Sequence, residues 1–143
     1  MFASPNPAAT VRHAMSNLYT RVGVETSVDA ANPHRLVALL FDGLVESIVQ
    51  ARGALQSGQR ELKGRAVGRA VRIVEEGLKA GLNLDDGGPL AADLRDLYAY
   101  IGVRLTQANV RDDVAALDEC QRLIEPLRTA WAAIGPQVGA VRP

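Results

Sequence analysis

The chain has 143 residues, enough for one domain with its own core and too few for two comfortable ones. Sixteen basic and sixteen acidic side chains cancel to no net charge, which argues against a general polyanion binder and hence against a nucleic-acid partner. A single cysteine, Cys120, excludes an intrachain disulfide framework, and no stretch approaches the ~18 apolar residues of a membrane helix.

Residues 1–31 are expected to form a flexible N-terminal segment. Residues 1–9 are rich in proline, alanine and asparagine, with little to bury, which predicts disorder. No apolar run with a basic flank precedes Met15, so the reading is neither a signal peptide nor an anchor. The expected compartment is the cytoplasm, with no direct membrane insertion. Val11, Met15 and Leu18 fall at helical spacing, so residues 10–20 predict a short amphipathic helix, followed by a linker over 21–31.

Asn32-Pro33 predicts a helix start with a mechanism. Asparagine accepts a hydrogen bond from a free first-turn amide, and proline has no amide to satisfy. Val37, Phe41, Leu44, Ile48, Ala51 and Leu55 then recur every three or four residues, to a close near Ser57-Gly58. A second helix is predicted over Glu61–Leu84. It carries one stripe of Val67, Val71, Val74 and Leu78 and another of Ala66, Ala70, Ile73, Gly77 and Ala80. Gly64, Gly68, Gly77 and Gly81 lie inside it, each costing up to about 1 kcal/mol against alanine, and close approach of another helix is the expected offset. Asp85-Asp86-Gly87-Gly88-Pro89 reads as a turn.

A third helix carries Leu90, Leu94, Leu97, Ile101, Leu105 and Ala108. A fourth begins near Asp112-Asp113 and carries Leu117, Cys120, Ile124, Leu127, Trp131 and Ile134. Pro126 sits inside that stripe and predicts a kink, or a break with a short final helix from Glu125-Pro126. The fold class is therefore all-α: an antiparallel up-and-down four-helix bundle over 32–135, with a disordered tail over 136–143. Aromatics are only 4% of the chain, which suits close-packed aliphatic helices.

Sites for chemistry are sparse. His13 and His34 are the only histidines, and neither stands in a Glu-x-x-His pair or mid-helix on an exposed face, so no di-iron or phosphotransfer site forms. His34 reads as a capping or surface residue, Cys120 as a buried inert thiol and Trp131 as a core-capping aromatic. Arg65, Arg69 and Arg72 share a helix face that reads as solvated. No convergent titratable set supports an enzyme, a metal or a cofactor. The second helix carries more apolar width than the roughly 100° arc a bundle helix needs, which points to a further groove or to a covering segment such as 10–20.

Residues 97–109 hold the most specific pattern: Leu97-Tyr98-x-Tyr100, then Arg104-Leu105-x-x-Ala108-Asn109. Around it, in order, stand Tyr19, Val24-Glu25-Thr26, Asn32-Pro33-His34-Arg35-Leu36, Leu40-Phe41-Asp42-Gly43, the run Ile73–Leu82, Asp86-Gly87-Gly88 and a late Ala130-Trp131. The ordered set, from Tyr19 to Trp131, resembles the FliS family, the flagellin-specific export chaperones; Pro126 departs from that pattern. The resemblance implies a chaperone that binds the disordered C-terminal segment of flagellin as helices in apolar grooves. It would block premature polymerisation and deliver its cargo to a membrane protein of the flagellar type III export gate. It places Tyr19 in a segment that covers the groove or meets the gate, and Tyr98, Leu105 and Asn109 at the partner site, with Asn109 alternatively ending the third helix. Periodicity adds Val67, Val71, Val74 and Leu78 as groove residues. The alternative is a helical adaptor or regulator for another secretion substrate or an anti-sigma-type partner, and an anti-sigma factor is also a second partner class for the chaperone itself.

Overall fold

Asn32 opens the first helix as expected: its Oδ1 accepts the Arg35 amide at 3.1 Å, and Pro33 occupies the first turn. In the computed structural model, which describes residues 18–19 and 32–135, α1 spans Pro33–Gln56, α2 Arg60–Arg72, α3 Gly88–Arg111 and α4 Val114–Ile134. There is no strand among the described residues. The expected helix at 10–20, the linker over 21–31 and the tail over 136–143 lie outside them, apart from Leu18 and Tyr19.

Short connections alternate the helices up and down. α1 packs on α2 and α4, and α3 packs on α2 and α4, which closes a four-membered ring around one core. Val37, Phe41, Leu44 and Ile48 of α1 meet Leu94, Ile101 and Leu105 of α3 and Leu117, Ile124 and Trp131 of α4 in that core. Asp113 caps α4, its Oδ1 accepting the Ala116 amide at 3.2 Å. Before it, Asp112 takes the left-handed conformation (φ 52°) that turns the chain.

The second helix differs from expectation. Its α-helical part ends at Arg72, and Ile73–Lys79 continue as a π-helix, whose hydrogen bonds span five residues instead of four. The chain leaves helical structure before Leu84. Close packing explains one of the glycines: a Cβ on Gly77 would stand 3.0 Å from Leu40 Cδ2. Gly64 has open space and Gly68 meets only Arg72, so the expected helix approach does not occur at either.

α4 runs unbroken through Pro126, so the predicted break with a separate final helix does not form. Proline withholds one amide from the Arg122 carbonyl. Ile124, Trp131 and Ile134 stay in phase on the core on both sides of it, and that burial holds the helix together.

The Leu40-Phe41-Asp42-Gly43 step is a scaffold in which each residue has its own contact. Leu40 lies over Gly77, and Phe41 is core. Asp42 accepts from Arg128 Nε at 2.8 Å, joining α1 to α4. Gly43 leaves room for the Arg69 guanidinium, whose Nη1 donates to Ser47 Oγ at 2.8 Å. Arg69 thus links α2 to α1 while remaining exposed, as Arg65 and Arg72 are, so the three arginines do present a solvated face.

Candidate functional site

Two residues from outside the four helices complete the core. Leu18 and Tyr19 are buried, and Tyr19 lies edge-on to Trp131, with ring centroids 5.5 Å apart at 84°. The Tyr19 and Tyr98 hydroxyls hydrogen-bond to each other at 2.7 Å. Burial pushes both phenols well above their ordinary range, so the pair stays neutral at any physiological pH. The Leu18 carbonyl accepts the Asn83 amide at 2.6 Å. Its side chain reaches Gly87, where a Cβ would meet Leu18 Cδ2 at 3.2 Å and both Ala91 Cβ and the Asn83 carbonyl at 2.6 Å. No larger residue fits at Gly87.

Below this pair, α1 and α4 are locked together. His34 stacks on Trp131 (5.1 Å, 13°). His34 Nε2–H donates to the Trp131 carbonyl at 2.9 Å, and Trp131 Nε1–H donates to the His34 carbonyl at 2.9 Å. The reading of His34 as a capping or surface residue is therefore corrected: it is buried, because the aromatic ring of Trp131 and its carbonyl satisfy both its face and its donor. Trp131 itself is the core aromatic that the stripe predicted.

The groove candidates from periodicity and from the family block lie inside the bundle. Val67, Val74, Leu78, Tyr98 and Leu105 are all buried, and Val71 is half-buried. The surplus width of the second helix has a simple cause. Ile73 and Gly77 face Gly43 and Leu40 of α1, while the helix also packs on α3, so it is covered from two sides. Asn109 sits half-buried in the last turn of α3, and its carbonyl accepts from Lys63 Nζ at 2.9 Å. Lys63 also pairs with Asp112, holding that carboxyl below the usual range.

Of the two tyrosines in the family block, Tyr100 is the exposed one, at 44%. It shares a face of α3 with Val103 at 56% and Val110 at 76%. Its hydroxyl donates to Glu119 at 2.6 Å, and Arg104 donates to the same carboxylate at 2.7 Å; the two donors keep Glu119 below the usual carboxylate range. The signal was available: positions 100, 103 and 110 fall opposite Leu97, Ile101 and Leu105 on the helix. A second surface was not visible in the sequence. An open groove of about 1010 Å³ runs along α4 past Asp118, Arg122, Pro126, Thr129 and Ala133, with Arg52 of α1 on its far wall.

Among the described residues no group of three His, Cys, Asp or Glu could hold a metal ion. Cys120 is buried on the core side of α4, and burial pushes its thiol up to about 12. A thiol reagent at pH 8 is expected to label the folded protein only on the timescale of unfolding, in step with the urea transition; labelling within the dead time of mixing would contradict this burial.

No helix among the described residues is long and apolar enough to cross a membrane. The family model described as "Flagellar protein FliS" matches residues 15–138. The chain is 42% identical over 119 residues to the flagellar secretion chaperone FliS of Salmonella typhimurium, covering 83% of this chain and 88% of that one. It is 40% identical over 116 residues to the flagellar secretion chaperone FliSB of Pseudomonas aeruginosa, covering 81% and 91%. It is 30% identical over 118 residues to the FliS of Bacillus subtilis, covering 82% and 86%.

Proposed function

This chain belongs to the FliS family of flagellar secretion chaperones, and from that premise we propose that its cargo is the C-terminal segment of flagellin, bound as helices on apolar surface. The observation that carries the reading is the placement of Leu18 and Tyr19. They belong to no helix of the bundle, yet they fill its core at Tyr98 and Trp131. A segment that closes the core from outside can give way to a partner segment of like chemistry. The buried stripe of Val67, Val71, Val74 and Leu78, with Tyr98, Leu105 and Asn109, is then the surface that such an exchange makes available. The exposed face at Tyr100, Val103 and Val110 receives cargo without it.

This is helix-in-groove recognition with coupled folding. Covering the cargo's apolar face blocks its polymerisation in the cytoplasm. Ordering the cargo takes about 2–5 kcal/mol of the gross interaction energy, which limits net affinity and permits release at the export gate without a nucleotide. Tyr19, once displaced, is available to the gate protein. The function needs no catalytic group and no cofactor.

The test is a polymerisation assay with full-length flagellin. One equivalent of this protein is expected to hold flagellin monomeric under conditions that otherwise give filaments, and to form no complex with a flagellin lacking its C-terminal segment. Unimpeded polymerisation would contradict the reading.

A further inference from the structure

The amides that follow the π-helix step down through three hydrogen-bond spans. Ala80 N–H reaches back five residues to the Glu75 carbonyl at 3.2 Å. Gly81 N–H reaches four, to Gly77 at 3.1 Å, and Leu82 N–H reaches three, to Lys79 at 3.2 Å. The next amide, Asn83, leaves the helix altogether and donates to the Leu18 carbonyl at 2.6 Å. A π-helix holds about one residue more than the α-helix it interrupts. Drawing that residue out would move Ala80 N–H to Glu76, Leu82 N–H to Leu78 and Asn83 N–H to Lys79. The Asn83 amide therefore has two acceptors to choose between: Leu18 in the π register and Lys79 in the α register.

We propose that Ile73–Lys79 and the Leu18–Tyr19 pair form one two-state element, in which seating of Leu18–Tyr19 and the π register require each other. The surroundings of Asn83 make the coupling steric as well as polar. A one-residue change of register rotates the following backbone by roughly 100° and advances it by roughly 1.5 Å. Asn83 is 2% exposed, its carbonyl accepts the Gly87 amide at 2.8 Å, and its side chain holds Asp86. Gly87 in turn lies against Ala91 and Leu18 with no room for a Cβ. Asn83 cannot shift toward Lys79 without disturbing the Leu18 contact. In the other direction, loss of Leu18 removes the acceptor that holds the amide out of the helix. Val74 and Leu78 belong to the same π segment, so the change of register also rotates the stripe they form. Both states are compact and hydrogen-bonded, as a switch requires.

The coupling is a property of this chain alone. Its use, admitting cargo when the pair leaves, rests on the chaperone reading; the test below involves no cargo, so its outcome is separate from that of the polymerisation assay. Scalar couplings across hydrogen bonds, measured by NMR on the full chain, report which carbonyl each amide uses. In the double variant Leu18→Asp, Tyr19→Asp, the Asn83 amide is expected to couple to the Lys79 carbonyl, and the Ala80 amide to move from Glu75 to Glu76. Persistence of the Ala80–Glu75 coupling, with changes confined to Asn83 and the vacated cleft, would overturn the proposal. The converse variant deletes Glu76, an exposed residue of the π segment. It is expected to release Tyr19 from Trp131, read as a change in indole fluorescence. An unchanged indole environment in the folded deletion variant would also overturn it, and if that variant does not fold the double variant decides alone.

Discussion

Val74→Asp is expected to unfold the bundle, not merely to weaken its hold on a partner. Val74 has no exposed surface and sits between α1 and α3 in the π-helical segment. An aspartate there loses the burial of the valine and leaves a carboxylate without a partner; together these cost at least about 5 kcal/mol. A domain of this kind has about 5–15 kcal/mol to lose. The expected result at 25 °C is a loss of far-ultraviolet helicity and of the cooperative urea transition. Val103→Asp is the control. At 56% exposure on α3, it is expected to stay within about 0.5 kcal/mol of the native protein. A folded Val74→Asp protein would mean that the stripe opens far more readily than its burial implies.

Trp131→Ala is expected to cost about 3–5 kcal/mol, read as a lower urea midpoint at unchanged slope. Three contacts go together: the stack on His34, the Nε1–H bond to the His34 carbonyl and the edge contact with Tyr19. The loss should also unseat Tyr19, since the cavity lies directly under its ring. Trp131→Phe keeps an aromatic ring and removes the indole donor, so it is expected to fall between the native protein and the alanine variant. If Trp131→Ala unfolds at the native midpoint, the aromatic cluster is not what joins the ends of α1 and α4.

What the chain discloses before folding, and what it hides, divides by range. Asn32-Pro33 and Asp113 mark helix starts because a cap is a bond between residues three apart. The apolar stripes of α1, α3 and α4 are legible for the same reason. The width of the second helix was legible too, but its meaning was not. A stripe covered by α1 on one side and α3 on the other looks the same in sequence as a stripe left open for a partner. The π register leaves no compositional trace, and Gly77, which packs under Leu40, cannot be told from Gly64, which packs under nothing. The family block implies Tyr98 at the partner site, and its phase with Leu94, Ile101 and Leu105 puts it in the core of the chain without a partner. The contact that organises the site, Tyr19 to Tyr98, joins residues 79 apart and depends on the bundle having closed. Arg69 shows the same limit: only the fold reveals that its exposed side chain also reaches over Gly43 to Ser47.

The central claim is that this chain binds flagellin's C-terminal segment by folding it onto apolar surface. The most direct measurement is isothermal titration of the protein with a peptide spanning the C-terminal helices of its own organism's flagellin, with circular dichroism on the same mixture. Saturable one-to-one binding with a gain in helicity is the predicted result. No heat of binding and no change in helicity at tens of micromolar would contradict it.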